Sequence, residues 1–290
     1  MNLSTIRKTL GASQRALRVK LFGNNQSALV NFNHKRYHAK AKQAWSKSQH
    51  ASSRPDIVRW KTELREQGYV QLPPAVDKAF LDRIQQQSDA AFGTPDATTN
   101  PIDGAVRLKD GIGRLPDITR FYTDDIIQIV ENYYESFFKI YWVQVYRTLP
   151  TSADPDASFL WHVDNCPQQV VKLMVYLTDT RENTGAFRLK SRPFSQQLFS
   201  QGFWDRSKNE RFAGVLNDMS TTKVFEGTKG TSILFLNWAC IHRAKHPEVG
   251  HRDVAVFFMT PSLIPWKEHL SVNKADLSSR DNVCLNPADF

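Results

Sequence analysis

The sequence predicts a mainly β fold with flanking helices, and three observations support this. Two apolar runs of strand length lie late in the chain, at about 231–238 and 252–260, and the first follows the turn residue Gly230. Shorter runs of strand length precede them, whereas helix-like segments concentrate in the first half. A chain of 290 residues can hold one large core, and double-sheet β domains commonly form as a single domain.

The elements can be placed in order along the chain. We expect helices near 3–22, 55–67, 76–92 and 123–138. In the first of these, several leucines fall near one helical face, with cations on the rest. The second leads through Gly68 into a strand. We expect strands near 69–72, 141–148, 159–164, 170–178, 185–190, 231–238 and 252–260.

Charge is segregated along the chain. Residues 1–55 contain no Asp or Glu, whereas ten Lys or Arg lie between Arg7 and Lys47. The formal net charge of the whole chain is +9, so residues 56–290 are close to neutral. We therefore predict two parts: a basic N-terminal extension at 1–55 and a folded domain at 56–290.

Three interpretations of the basic extension remain open. It is Arg- and Ser-containing and poor in acids, as mitochondrial transit segments are. Residues 1–22 are also typical of an amphipathic helix in peripheral contact with an anionic membrane. We favour the third interpretation, a soluble extension packed on the domain or on a partner chain. No motif supports nucleic-acid binding.

The cysteines and the apolar runs bear on location. The three cysteines, Cys166, Cys240 and Cys284, are odd in number and unevenly spaced, which is typical of free thiols in a reducing compartment. No apolar run reaches the length that spans a bilayer. We predict a cytoplasmic protein, with the mitochondrial matrix or a membrane surface as the alternatives.

Three residues point to chemistry. His162 and Asp164 form a His-x-Asp pair, and His242 follows an apolar run about eighty positions later. Two imidazoles and one carboxylate can occupy one face of an octahedral Fe(II) ion and leave the other face open. In a strand, residues two apart point to the same side, which suits chelation. Taken alone, the pair suits a hydrogen-bonded strand end equally well.

Arg252 lies ten residues beyond His242 and opens a largely apolar strand. A buried Arg needs an anion, and its planar fork matches a carboxylate. A dicarboxylate that chelates iron at one end would present its far carboxylate here, although a structural salt bridge is the alternative. His246 and His251 are rival ligands, but only His242 combines the end of the apolar run with the ten-residue offset.

The chain resembles the phytanoyl-CoA dioxygenase family of Fe(II)- and 2-oxoglutarate-dependent oxygenases from about residue 56 to residue 261. The resemblance rests on the order and spacing of several segments rather than on any one of them. These are Gly68-Tyr69-Val70 after a helix, the strand Tyr141–Arg147, Trp161-His162-Val163-Asp164, Asn183-Thr184-Gly185, and the strands around His242 and Arg252.

The resemblance implies a double-stranded β-helix core, of the jelly-roll or cupin-like type, and a set of roles. His162, Asp164 and His242 would bind Fe(II), Arg252 would hold the distal carboxylate of 2-oxoglutarate, and Arg147 would also touch this cosubstrate. The enzyme would consume O2, release succinate and CO2, and hydroxylate a small-molecule or lipid-like substrate. An Asp at position 164 favours hydroxylation over halogenation. Trp161, Asn165 and Trp238 flank the ligands in sequence and are candidates for the substrate pocket, with simple packing as the alternative.

The chain departs from the family's pattern at Leu189–Pro193, where the Pro, Gly and His of a common turn are missing. The following insert, Pro193 to Gly227, mixes aromatic and charged residues, and we predict it to be a lid at the barrel mouth. A competing hypothesis is a catalytically silent jelly-roll module that binds or scaffolds through its basic extension.

Overall fold

The computed structural model describes residues 28–47, 52–100, 104–152, 154–272 and residue 277. Its longer helices are α1 Ala28–Ser46, α2 Pro55–Gln67, α3 Lys78–Phe92, α5 Asp124–Tyr134, α6 Arg192–Ser200 and α8 Trp266–Val272, and two short helices, α4 Gly111–Arg114 and α7 Ala213–Leu216, lie among them. The strands are β1 Tyr69–Leu72, β2 Ala97–Thr99, β3 Val106–Leu108, β4 Phe137–Thr148, β5 Val171–Tyr176, β6 Phe187–Lys190, β7 Thr222–Phe225, β8 Ser232–Phe235, β9 His242–Arg243 and β10 Arg252–Ser262.

The strands form two antiparallel sheets. The larger has seven strands in the order β1-β8-β5-β10-β4-β3-β2, and the smaller has three in the order β7-β6-β9. Strand β10 lies in the middle of the larger sheet, between β5 and β4. All of its residues are buried because both faces of the sheet are covered.

The two faces of β10 contribute to two different cores. Ala255, Phe257 and Met259 pack with helices α2, α3 and α5 on the outer face. Val254, Val256 and Phe258 point to the inner face and pack against the smaller sheet. This alternation explains why the strand reads as a continuous apolar run. The inner face is the one that carries the candidate site.

Local signals fix the ends of the helices. Pro55 opens α2, and Gly68 ends it in the left-handed region with a φ of 84°. Asp77 caps α3 by accepting a hydrogen bond from the backbone N–H of Phe80 at 2.7 Å. Helix α5 ends at Tyr134, four residues before the predicted end, because Glu135 adopts a left-handed conformation and β4 follows.

Part of the predicted basic extension packs against the sheet. In α1, His34, Ala41 and Trp45 are buried, and Nε2 of His38 lies 2.7 Å from the backbone oxygen of Tyr134. These contacts agree with the packed interpretation for residues 28–47. The predicted helix near 3–22 and Cys284 lie outside the described residues. Within the described ranges, no helix combines the length and apolarity needed to cross a membrane.

Candidate metal centre

His162 and His242 are paired through their backbones. The N–H of His162 donates to the oxygen of His242 at 3.0 Å, and the N–H of His242 donates back at 2.8 Å. This isolated antiparallel bridge extends the smaller sheet, because β9 also pairs with β6. The ring centroids lie 4.4 Å apart. Two residues eighty positions apart are thus brought together by sheet hydrogen bonds.

Hydrogen bonds to carbonyls orient both rings. Nδ1 of His162 lies 2.8 Å from the oxygen of Leu160, and Nδ1 of His242 lies 2.9 Å from the oxygen of Cys240. A carbonyl oxygen only accepts, so each Nδ1 carries the proton and each Nε2 presents a lone pair. These Nε2 atoms lie 3.6 Å and 3.8 Å from carboxylate oxygens of Asp164. One ligand atom from each of the three residues falls within 4.8 Å of the others, a spacing that suits one metal ion.

The carboxylate of Asp164 is held by Asn237 and Lys172. The backbone N–H of Asp164 donates to the backbone oxygen of Asn237 at 2.9 Å, and Nδ2 of Asn237 donates to Oδ2 of Asp164 at 2.9 Å. The ammonium of Lys172, on β5, forms an ion pair with the same Oδ2 atom. Both donors therefore meet one oxygen of the carboxylate.

Burial sets the protonation states of the cluster. It lowers the pKa of His162 to about 4 and that of His242 to about 3. Burial alone would raise the pKa of Asp164, but the charge of Lys172, with a contribution from the imidazoles, holds that pKa well below its usual value. At neutral pH the cluster is two neutral imidazoles and one anion, the state in which such side chains bind a divalent metal.

A cavity opens in front of the cluster. Its empty volume, open solvent included, is about 600 Å³. The three candidate ligands lie on its wall with Lys172, Arg107, Gln144 and Tyr146, and Phe187, Phe235 and Phe258 supply apolar surface. The cavity therefore offers polar groups beside an aromatic wall.

Arg252 is fully buried on the inner face of β10. Its guanidinium donates to the backbone oxygen of Gly185, and Nη2 lies 3.3 Å from Oγ1 of Thr148. Its Nε has no hydrogen-bond partner among the described residues, and no carboxylate in that part of the chain pairs with it. Arg252 does not line the cavity, but Val254, two residues along the strand, lies opposite Tyr146, which does.

The structure does not bring Arg147 into the cavity. Arg147 and Asp253 are directly opposite each other on β4 and β10, so both point to the outer face. The guanidinium of Arg147 donates to both carboxylate oxygens of Asp253, at 2.8 Å and 2.7 Å, and also pairs with Asp89. This position contradicts the expected contact between Arg147 and the cosubstrate, because the cavity lies on the inner face.

The three candidates for the substrate pocket also lie elsewhere. Trp161 packs with Leu198 and Phe203 in a third apolar cluster, because it points away from the side that His162 uses. Trp238 packs against the helix-covered core, and Asn165 is exposed. None of them is in the cavity wall. Neither is any residue of the insert, so the structure gives no support to its predicted role as a lid.

Sequence reasoning missed Lys172 and Asn237. Lys172 had a signal: it is a single cation inside the apolar run Val170–Val175, and an isolated charge in a buried strand needs a partner. Asn237 had none that separates it from an ordinary turn residue. His246, the rival ligand, lies outside the cluster, and its ring stacks on Phe159 at a centroid distance of 3.6 Å.

The fold is similar to that of several solved structures. The alpha-ketoglutarate-dependent epimerase SnoN from nogalamycin biosynthesis matches with a TM-score of 0.54 at 12% identity, covering 71% of this chain and 83% of its own. HygX from Streptomyces hygroscopicus, solved with nickel, 2-oxoglutarate and hygromycin B, gives 0.52 at 17% identity, covering 71% and 88%. EctD from S. alaskensis, solved with bound Fe, gives 0.53 at 14% identity, covering 70% and 76%. No protein-family model and no curated protein sequence matches the chain.

At these identities the likeness shows the fold alone. The two antiparallel sheets and their flanking helices form a cupin-like jelly-roll core, as in these iron- and 2-oxoglutarate-dependent enzymes. The fold class predicted from the sequence is thereby confirmed.

Proposed function

We propose that the chain is an Fe(II)- and 2-oxoglutarate-dependent oxygenase that hydroxylates a small molecule, with release of succinate and CO2. The observation that carries the proposal is the cluster of His162, Asp164 and His242, three ligand atoms within 4.8 Å at the wall of a cavity. Membership of the phytanoyl-CoA dioxygenase family is part of this proposal, and the likeness to SnoN, HygX and EctD supports it.

The donor set fits Fe(II). Two neutral imidazoles and a carboxylate are the ligands of non-heme iron oxygenases, and they leave coordination positions open for other ligands. The Nδ1 bonds of both histidines aim Nε2 at the common point, and the bonds to Asp164 limit its rotation. A small residue at position 164 would have opened a site for a halide, so the Asp supports hydroxylation.

Arg252 fits the distal carboxylate of 2-oxoglutarate. It is a buried cation on the face of β10 that carries the site, it pairs with no carboxylate among the described residues, and its Nε lacks a partner. A buried guanidinium with donors to spare is suited to a carboxylate. Arg252 is two residues from Val254, which lies opposite the cavity residue Tyr146.

Iron and 2-oxoglutarate, when bound, supply the oxidising chemistry and consume O2. The protein's own groups hold them and shape the space for the substrate. Phe187, Phe235 and Phe258 form an apolar wall that suits a hydrocarbon portion, and Gln144 and Tyr146 offer hydrogen bonds. We therefore expect a small molecule with apolar and polar parts, and a lipid-like substrate belongs to this class.

An anaerobic titration tests the metal and cosubstrate assignment without knowledge of the substrate. Fe(II) and 2-oxoglutarate added together should produce a weak visible charge-transfer band. The His242→Ala variant should lose the band and His246→Ala should keep it, since His246 lies outside the cluster. A band of equal strength in both variants would contradict the proposal. Under aerobic conditions, equal succinate formation by wild type, His162→Ala and Asp164→Ala would also contradict the proposal.

One observation favours the alternative, a catalytically silent module. Lys172 forms an ion pair with Asp164, and a permanent ion pair would leave only two imidazoles for a metal. The two functions differ in one measurement. An oxygenase binds a divalent metal through Asp164, so the Asp164→Asn variant binds more weakly, whereas a silent module shows no such difference.

A further inference from the structure

Lys172 is a fourth member of the candidate metal centre that the oxygenase chemistry does not require. It lies on the inner face of β5, where its backbone is opposite Phe235 on one side and Phe258 on the other. Its side chain is 12% exposed and that of Asp164 is 18% exposed, and the two form an ion pair. The pair is therefore largely removed from water, where charges interact strongly.

Two aromatic rings help to hold the ammonium in place. The Nζ atom lies 4.5 Å from the ring centroid of Phe258 and 5.6 Å from that of Phe235. Both distances are in the range of cation–π attraction. Within the described part of the chain, Asp164 is the only carboxylate that pairs with Lys172. The side chain is thus directed to Asp164 at the wall of the cavity.

The contacts of Asp164 distinguish its two oxygens. Oδ2 meets the ammonium of Lys172 and also accepts from Nδ2 of Asn237 at 2.9 Å. Oδ1 lies 3.6 Å from Nε2 of His162 and takes part in neither bond, whereas Oδ2 also lies 3.8 Å from Nε2 of His242. The ammonium is therefore bound to a carboxylate oxygen that belongs to the candidate metal centre itself.

We propose that Lys172 is a positioning residue that holds Asp164 by Oδ2, and that it weakens the affinity of the centre for divalent cations. This inference rests on the proposed metal site. A divalent ion bound to Asp164 lies within a few ångströms of the ammonium, and like charges at that range repel in a buried site. The ammonium also withdraws charge from the carboxylate that the metal needs.

The test is calorimetric titration of the metal-free protein with Co(II) alone. We expect Lys172→Met to bind Co(II) about tenfold or more tightly than wild type, because the repulsion is removed. Lys172→Arg keeps the charge and should stay within about threefold of wild type. Lys229→Met is the matched control: this half-buried lysine pairs with Asp82, far from the centre, so its loss should not change the affinity.

A purely structural role for Lys172 gives the opposite sign. If Lys172 merely supported the site, Lys172→Met would bind Co(II) more weakly, and that result would overturn the inference. Equal affinity in wild type and Lys172→Met would overturn it too, while leaving the proposed function intact. If neither wild type nor any variant binds Co(II), the proposed function fails and this inference fails with it.

Thermal unfolding gives a second readout. Without metal, Lys172→Met should melt below wild type, because Asp164 becomes a buried anion without a counter-charge. Its melting temperature should then rise more with saturating Co(II) than that of wild type. Lys172→Gln is the second variant if the Met variant does not fold, and the same order of affinities applies to it.

Discussion

The side chain of Asn209 forms two hydrogen bonds with the backbone of Trp161, the residue before His162. Its Oδ1 accepts from the N–H of Trp161 at 3.0 Å, and its Nδ2 donates to the oxygen of Trp161 at 2.8 Å. The segment with His162 has one isolated bridge to His242 on one edge. Asn209, which belongs to the insert, holds this segment at Trp161 through the same two backbone groups that a neighbouring strand would bind. The insert therefore supports the site from outside.

We expect Asn209→Ala to loosen this segment. The buried backbone groups of Trp161 would lose their partners, at a cost of about 1–2 kcal/mol in the free energy of unfolding. Because His162 directly follows, the affinity for Co(II) should also fall, by about threefold or more. Urea unfolding and Co(II) titration measure the two effects. Asn217→Ala, at an exposed site in the same insert, is the control; an equal effect there would contradict the assignment.

The two histidines should make the stability of the metal-free protein depend on pH. Their pKa values are lowered by burial to about 4 and about 3, below the ordinary 6.5. As the pH falls below 6.5, the unfolded chain takes up protons that the folded chain resists. The contribution of these two histidines to the free energy of unfolding should therefore fall between about pH 6.5 and pH 4, by up to about 1.4 kcal/mol per pH unit for each histidine, and should be level above this window.

The contribution of His242 can be isolated by substitution. His38 also has a pKa lowered mainly by burial, so the wild-type slope contains more than the site. Urea unfolding of His242→Asn at pH 7, 6 and 5 should show a smaller decline than wild type. An unchanged decline would mean that His242 is freely protonated in the folded protein.

Arg252 and Arg147 form a matched pair for testing the cosubstrate assignment. They lie on adjacent strands but on opposite faces. Arg252→Lys should weaken 2-oxoglutarate binding by about tenfold or more, because Lys lacks the planar fork, and should leave Co(II) affinity within about twofold. Arg147→Lys keeps its pairing with Asp253 and should leave both unchanged. Loss of 2-oxoglutarate binding in Arg147→Lys alone would reverse the assignment.

Gly68 is required at the end of α2. Its φ is 84°, and a Cβ atom there would lie 2.2 Å from Sγ of Cys240. Gly68→Ala should lower the free energy of unfolding by about 2 kcal/mol or more, because strain and a buried clash combine. Gly214→Ala in α7 has no atom within 4 Å of the new Cβ and should be neutral or slightly stabilising. Chemical denaturation of the two variants measures the difference.

The centre of the larger sheet was predictable because β5, β8 and β10 are largely apolar runs. The predictions for 69–72, 170–178 and 252–260 overlap β1, β5 and β10 closely. The strand predicted at 159–164 is instead a turn of 3-10 helix at Ala157–Phe159 and one bridge at His162, since the side chain of Asn209 takes the place of a strand partner. Helix α1 and strands β2, β3 and β7 were not predicted, because they are polar or short.

The site shows the same division. The three candidate ligands were readable because His162 and Asp164 form a His-x-Asp pair and His242 follows an apolar run. The position of Arg147 depended on register: in antiparallel strands, directly opposite residues share a face, and its neighbour across the pair is Asp253 and not Arg252. A single sequence does not contain that register. Gln144 and Tyr146 line the cavity because alternate residues of β4 point to the inner face. The sequence did not show which of the strand's two faces that would be.

The central place of β10 has a consequence for synthesis of the protein. This strand lies between β5 and β4, yet it is among the last segments of the described chain to leave the ribosome. Until residue 262 has emerged, β4 and β5 have no partner for the edges that they turn toward each other. The nascent chain therefore holds two open apolar edges that invite pairing with other chains, and chaperone capture should fall off once β10 has docked.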